Sequence, residues 1–250
     1  MKLSPLYTRS LVLAPALLAL SACNSNEADD GSVTSAEPIA PIAAPAGQQW
    51  ADKVVETPEG GYAMGNPDAP IKLVEYASNS CNHCADFSAD SSAPLRDSYI
   101  ASGRVSYELR NQVHDPIDLT FAVLSRCAGP EAFFPLVEQG FANLGSTFAQ
   151  LQGNQAMFEQ AMTLSGPARM EGIAQASGMF DFFAARGISN DQAKQCLAKT
   201  ETAEKIVSNS ETQSEELGIT GTPTFFINGK NLGTQTWTTL EPMLQQAGAR

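Results

Sequence analysis

The sequence predicts a layered α/β fold. Three observations carry this. Strand-like segments (Ile71–Tyr76, Arg104–Arg110 and Thr224–Ile227) are separated by helical ones. About a hundred residues, from Ile117 to Leu217, are mostly helical in pattern. The chain then closes with a hairpin signal and one more helix. Strands alternating with helices favour layers over a bundle or a sandwich.

Composition narrows the class. The chain has 250 residues, 43% hydrophobic and 17% charged, which excludes disorder over most of its length. The formal charge is −12, from 15 basic and 27 acidic side chains. That balance argues against nucleic acid as a partner, since phosphate binding needs an excess of Lys and Arg. No stretch after residue 25 is apolar for 18 residues, which argues against a second membrane span.

Residues 1–22 read as a signal peptide. Lys2 and Arg9 supply the positive region, and Leu11–Leu20 is an apolar stretch too short to span a bilayer. Leu20-Ser21-Ala22-Cys23 follows and resembles the bacterial lipobox, which implies acylation of Cys23 and a lipid anchor. The alternative is an ordinary secretory signal beside an incidental cysteine. Residues 23–49 are rich in Ala, Pro, Ser and acids without an apolar period, and read as a flexible tether. The folded domain is expected at 50–250.

Within it, the stretch after Trp50 (Lys53–Thr57) suggests a short strand, and Pro58-Glu59-Gly60-Gly61 a turn. Gly65–Pro70 is a second turn, and Ile71–Tyr76 a buried strand. Cys81 to about Ala101 reads as helix, and Arg104–Arg110 alternates as a strand. Phe133, Val137, Phe141 and Leu144 keep a helical stripe, and Ala203, Ile206, Ser210 and Leu217 a weaker one. Breaks near 129–130, 164–167 and 187–190 divide the block into several helices. Asn228-Gly229 is a tight hairpin signal. Trp237–Gln246 is the closing helix, with Leu240, Met243 and Leu244 on one face.

The chemistry lies in Cys81-Asn82-His83-Cys84. Two cysteines three apart on one helical turn can close a short disulfide. At a helix start the free N–H groups and the dipole stabilise a thiolate on Cys81. Cys81 is therefore the expected attacking sulfur and Cys84 the buried resolving one. His83 can favour the thiolate further. A haem site needs His directly after the second cysteine, where Ala85 stands. A structural zinc site needs four ligands, and the remaining Cys127, Cys196 and His114 are scattered. In an oxidising compartment Cys127 and Cys196 most simply pair, and two buried free thiols are the alternative. The five cysteines then divide into one anchor, one redox pair and one bridge.

The Cys81–Cys84 motif at a strand–helix junction, with Gly221-Thr222-Pro223-Thr224-Phe225-Phe226-Ile227-Asn228-Gly229 downstream, resembles the thioredoxin fold. The long helical insertion resembles the DsbA-like branch, over about residues 60–250. The resemblance implies a thioredoxin fold with a helical insertion, about 115–218, between the second central strand and the cis-Pro strand. It also implies a cis Pro223 packed against the cysteine pair, and a Thr222 backbone offered to an extended substrate segment. It places Glu75 beneath the active site as a proton relay for Cys84. On residue type alone, Glu75 reads equally as a strand-edge carboxylate facing water. Phe87 is expected to pack under the helix, and His114 to lie in a surface loop. Asn82 departs from the Pro commonly found between Cys and His, so the redox potential does not transfer. Residues 24–60 are too short and too polar for the dimerisation domain of isomerase-like relatives.

The expected function is that of an extracytoplasmic thiol–disulfide oxidoreductase, lipid-anchored in the periplasm, monomeric, with no cofactor and no metal. Its expected partners are cysteine-containing exported proteins and a membrane or periplasmic redox partner. Direction is open, with oxidation of substrates favoured. The competing class is a periplasmic chaperone or a carrier of a soft metal ion.

Overall fold

The computed structural model describes residues 35–250. The expected signal peptide, Cys23 and the first part of the tether lie outside the described residues.

Among the described residues a six-stranded sheet runs in the order β1-β2-β4-β3-β5-β6. The strands are β1 (Val54–Glu56), β2 (Tyr62–Gly65), β3 (Ile71–Ala77), β4 (Val105–Asn111), β5 (Thr224–Ile227) and β6 (Lys230–Gly233). Only β3 and β4 pair in parallel; the other neighbours are antiparallel. The parallel pair needs a crossover, and α1 (Asn82–Pro94) supplies it. β3 is central, and its successive side chains alternate between two surfaces, of which the one carrying Lys72 and Val74 is only partly covered. Ile71, Leu73, Glu75 and Ala77 are all buried on the other.

The sequence misses β2. Its four residues sit between two turns and are too few to show alternation, but they pair with both β1 and β4. The expected single helix from Cys81 to Ala101 is divided. Pro94 removes a donor, and residues 95–100 continue as a wider π turn.

Between β4 and β5 lie α2 (Pro116–Leu124), α3 (Pro130–Ala142), α4 (Leu144–Gly153), α5 (Gln155–Met162), α6 (Gly166–Ala176), α7 (Met179–Ala184), α8 (Asn190–Leu197) and α9 (Thr200–Leu217). The stripe Phe133, Val137, Phe141 and Leu144 is buried; in the weaker one Leu217 is exposed. Asn228 and Gly229 both take positive φ, 50° and 83°, as a two-residue hairpin between twisted strands requires. The last helix is α10 (Trp237–Gln246), with Leu240 and Leu244 fully buried.

The expected free tether is corrected over its last part. Ala36 N–H donates to Gln246, Ile39 N–H to Gly248 and Ile42 N–H to Ser102. Arg104 and Arg250 donate to the carbonyls of Ile39 and Ala36. Composition suggested solvated chain here, but the backbone groups find partners on the domain surface. No helix among the described residues is long and apolar enough to cross a membrane.

Candidate active site

β3 points its C-terminal end at the cysteine motif. Residues 78–80 bridge the strand to α1, and Cys81 occupies the N-cap in extended conformation. The Ala85 N–H donates to the Cys81 carbonyl and opens the helix. The bridging loop is held from the helical insertion. Asp118 of α2 accepts from the Asn79 backbone N–H at 2.7 Å, from the Asn79 amide at 3.0 Å and from the His114 N–H at 3.1 Å. Ser80 donates its hydroxyl hydrogen to Asp115 at 2.7 Å. Asp118 is completely buried, and burial pushes its carboxyl up to about 6 against these hydrogen bonds.

The two cysteines are free thiols in unlike surroundings, Cys81 partly exposed and Cys84 buried. Cys81 is lowered from 9.0 to about 5. The largest cause is the hydrogen bond from the Cys84 thiol. The backbone N–H groups of Cys84 and His83 act the same way, while partial burial opposes them. Cys84 moves far upward, first because its proton is held by Cys81, then because it is buried and faces the charge of Glu75. One thiolate outside and one protonated thiol inside is the arrangement that lets the outer sulfur attack and the inner one wait.

The Thr222–Pro223 peptide is cis. It brings the Thr222 carbonyl within 3.4 Å of the Cys81 sulfur, from which it accepts a hydrogen bond only while Cys81 is protonated. The Thr222 hydroxyl is buried without a hydrogen-bond partner. Phe87, one turn beyond Cys84, packs on Phe225 of β5 with ring centres 4.5 Å apart and on Trp237 of α10. That packing ties α1 to the strand that follows the cis proline.

Glu75 is 1% exposed, in the middle of the sheet rather than at an edge. The reading as a water-facing carboxylate is thus overturned. Its side chain accepts a 2.5 Å hydrogen bond from the Tyr107 hydroxyl. Glu75 is opposite Leu109 and Tyr107 opposite Leu73, so the two are diagonal neighbours on one face. Burial raises Glu75 from 4.5 to about 8; the Tyr107 hydrogen bond opposes this, and the Cys81 charge adds to it.

Other expected residues are placed more simply. Asn82 is exposed in the first turn of α1. The His83 ring is 82% exposed, 3.9 Å from Asp86, so His83 serves the Cys81 sulfur through its backbone N–H. His114 is exposed in the loop before α2. Cys127 and Cys196 form a disulfide between α8 and the turn that follows α2, with Cα atoms 6.0 Å apart. Among the described residues no group of three or more His, Cys, Asp and Glu could hold a metal ion.

The profile of the thioredoxin family matches residues 57–246. The chain belongs to the thioredoxin family. It is similar to the crystal structure of a protein-disulfide isomerase from Novosphingobium aromaticivorans, at 31% identity and TM-score 0.69, covering 73% of this chain and 94% of that one. It also shares its fold with Wolbachia pipientis alpha-DsbA1, at 23% identity and TM-score 0.62, covering 77% and 92%. A relative from Rickettsia typhi, provisionally named a protein-disulfide oxidoreductase, is 26% identical over 166 residues, 66% of this chain. The chain spans 54% of that relative's length, and 61% of its Rickettsia conorii counterpart.

Sequence reading missed Asp118 and Tyr107. Asp115-Pro116 is a legible helix start, with an N-cap acid before proline, and the Asp115 carboxylate does accept from the N–H groups of Ile117 and Asp118. Nothing local shows that Asp118, three residues on, reaches back to residue 79. Tyr107 was within reach, since pairing the two predicted strands in parallel places it diagonal to Glu75.

Proposed function

We propose that this chain is a protein thiol–disulfide oxidoreductase that works through Cys81 and Cys84. The observation that carries the reading is the Cys81 sulfur, held as a thiolate at about 5, partly exposed, and beside the Thr222–Pro223 loop. A substrate disulfide is attacked by, or forms on, Cys81. When a partner sulfur on Cys81 is displaced by Cys84, the Cys84 thiol loses its proton, the Cys81–Cys84 bond forms and the partner leaves as a thiolate. When the pair oxidises a substrate, the substrate's second thiolate instead breaks the mixed disulfide, and Cys81 leaves as the thiolate. Glu75 is the group beneath Cys84 that takes the Cys84 proton. Thr222 offers its backbone to the extended substrate segment. Because a stabilised thiolate favours the reduced pair, we favour oxidation of substrates as the direction.

The substrates in this reading are exported proteins with cysteines, and a second redox protein of the membrane or periplasm resets the pair. Removal of residues 1–22 and acylation of Cys23 would attach the chain to a bacterial membrane. The lipobox-like tetrapeptide supports this, and fatty-acid labelling lost in Cys23→Ala tests it. The chain acts as a monomer without cofactor or metal.

The deciding experiment is a Cys84→Ala variant exposed to periplasmic extract. It is expected to accumulate disulfide-linked adducts through Cys81. No adduct, together with no dithiol exchange in the unaltered protein, overturns the reading. A reduction potential well above that of thioredoxin, about −270 mV, supports the oxidising direction, and a lower one reverses it.

A further inference from the structure

Arg126, one residue past the cap of α2, carries a charge that no described residue balances at close range. Its guanidinium donates to the carbonyls of Ala122 at 2.7 Å and Gly60 at 3.2 Å, and to the Asn111 side-chain oxygen at 2.7 Å. It also lies 5.4 Å from the ring centres of Tyr62 and Phe133. All of these partners are neutral, and among the described residues no carboxylate comes within 4.0 Å of it. Burial lowers Arg126 from 12.5 to about 10, which leaves it ionised at neutral pH. A cation withdrawn from water without a counter-charge is costly. Asn111, the last residue of β4, is 7% exposed, and its amide nitrogen has no hydrogen-bond partner among the described residues. Arg126 and Asn111 line one cavity of about 10 Å³ together with Arg110, Asn209 and Gln213. That is room for about one small sphere. The acceptors around it are already engaged. The Asn111 oxygen takes Arg126, and the Glu59 carbonyl takes the Asn209 and Gln213 amides at 3.0 and 2.9 Å. The Glu59 carboxylate is turned to Arg110, 3.7 Å away, and Glu108 holds Arg110 at 2.8 and 3.0 Å. The open positions are therefore donors. A water there needs acceptors for its own hydrogens, and an anion does not.

We propose that this cavity binds one chloride ion, held by the Asn111 amide and the Arg126 guanidinium with Arg110 on the same wall. The volume admits a single monatomic ion and excludes phosphate, sulfate and carboxylates. Chloride is slightly larger than water, and the wall yields at the long Asn209 and Gln213 side chains, which are only partly buried. Arg126 also lines an adjoining cavity of about 340 Å³, and this is the way in from solvent. Of the acids on that side, Glu56 is paired with Lys205 at 3.2 Å, and Glu201 stands on the rim. The ion balances the Arg126 charge and accepts the amide hydrogens that Asn111 otherwise leaves unused. It joins the end of β4, the turn between β1 and β2 and the end of α2. Asp118, near the start of α2, holds the loop before Cys81, so the ion steadies the far end of the helix that shapes the cysteine site. The proposal does not depend on the redox reading of that site.

Thermal unfolding at constant ionic strength, with gluconate exchanged for chloride, tests the site. The midpoint is expected to rise by about 3 °C and to level off by about 100 mM chloride. No rise overturns the proposal, as does a rise that never levels off, which is how a general salt effect behaves. Asn111→Asp sets a fixed carboxylate beside Arg126 and is expected to abolish the response to chloride. A response of unchanged size in that variant puts the ion elsewhere and overturns the site. Where the variant does not fold, the unaltered protein still decides. Crystals grown in bromide are expected to give an anomalous signal between Asn111 and Arg126. A water at that position, or bromide on the outer surface alone, overturns the proposal.

Discussion

Ionisation of Cys81 is expected to make the stability of the reduced protein depend on pH. The perturbation is Cys81→Ala, compared with the unaltered chain, both reduced. The folded thiol titrates at about 5, and its ordinary value of 9.0 applies to the unfolded chain. A folded value below the unfolded one adds stability that is complete above the unfolded value and disappears as pH falls through the folded one. The contribution therefore grows between about pH 5 and 9. At pH 7 the folded thiol is ionised and the unfolded one is not. Two pH units of difference correspond to about 2.7 kcal/mol. Cys81 is only half-buried, so water and salt screen the charge and leave about 1–2 kcal/mol. Urea unfolding of both proteins at several pH values reads the difference, and the pH dependence of iodoacetamide labelling reads the ionisation itself. The expected result is a stability gap that widens from about pH 5 upward, with a labelling inflection near about 5. A gap that does not change with pH, or an inflection near the ordinary thiol value, refutes the reasoning.

Three further outcomes follow from buried groups. Glu75 keeps its proton to about pH 8 in the fold against 4.5 unfolded, so its burial costs stability as pH rises through that window. Glu75→Gln is expected to be more stable by about 2–3 kcal/mol near pH 8 and equal below pH 4.5, as measured by urea unfolding. Asp118→Ala leaves the Asn79 and His114 N–H groups without their acceptor, with an expected cost of about 2–3 kcal/mol and faster hydrogen exchange at those two amides. Replacing Cys127 and Cys196 together by Ala opens a crosslink across 69 residues, and a loss of about 2–4 kcal/mol in thermal or urea unfolding is expected. The Cys81 labelling profile is expected to stay in place in that double variant.

The site was legible where chemistry is local. Cys81 and Cys84 share one turn, and the helix start follows from the strand before them. Thr222 and Pro223 were legible only by resemblance, because a proline before a strand is an ordinary turn signal by itself. The fate of Glu75 was not readable from its own neighbourhood. Its burial comes from β4 on one side and β5 on the other, and β5 lies about 150 residues downstream. Asp118 was hidden for a similar reason, since its partners belong to a loop that precedes it by 39 residues. The strand Tyr62–Gly65 escaped because four residues between two turns show no period, and its place is set by the neighbours that accept it. The stretch 36–42 misled in the opposite direction, because its composition is that of solvated chain while its backbone is bound.

That bound stretch also orients the molecule. Residues 39–42 meet Ser102 and Arg104, at the end of the sheet where β3 begins. Cys81 lies beyond the other end of β3, some seven residues and about 20 Å away. Residues 39–42 are thus bound near one end of β3, and the reactive sulfur lies near the other.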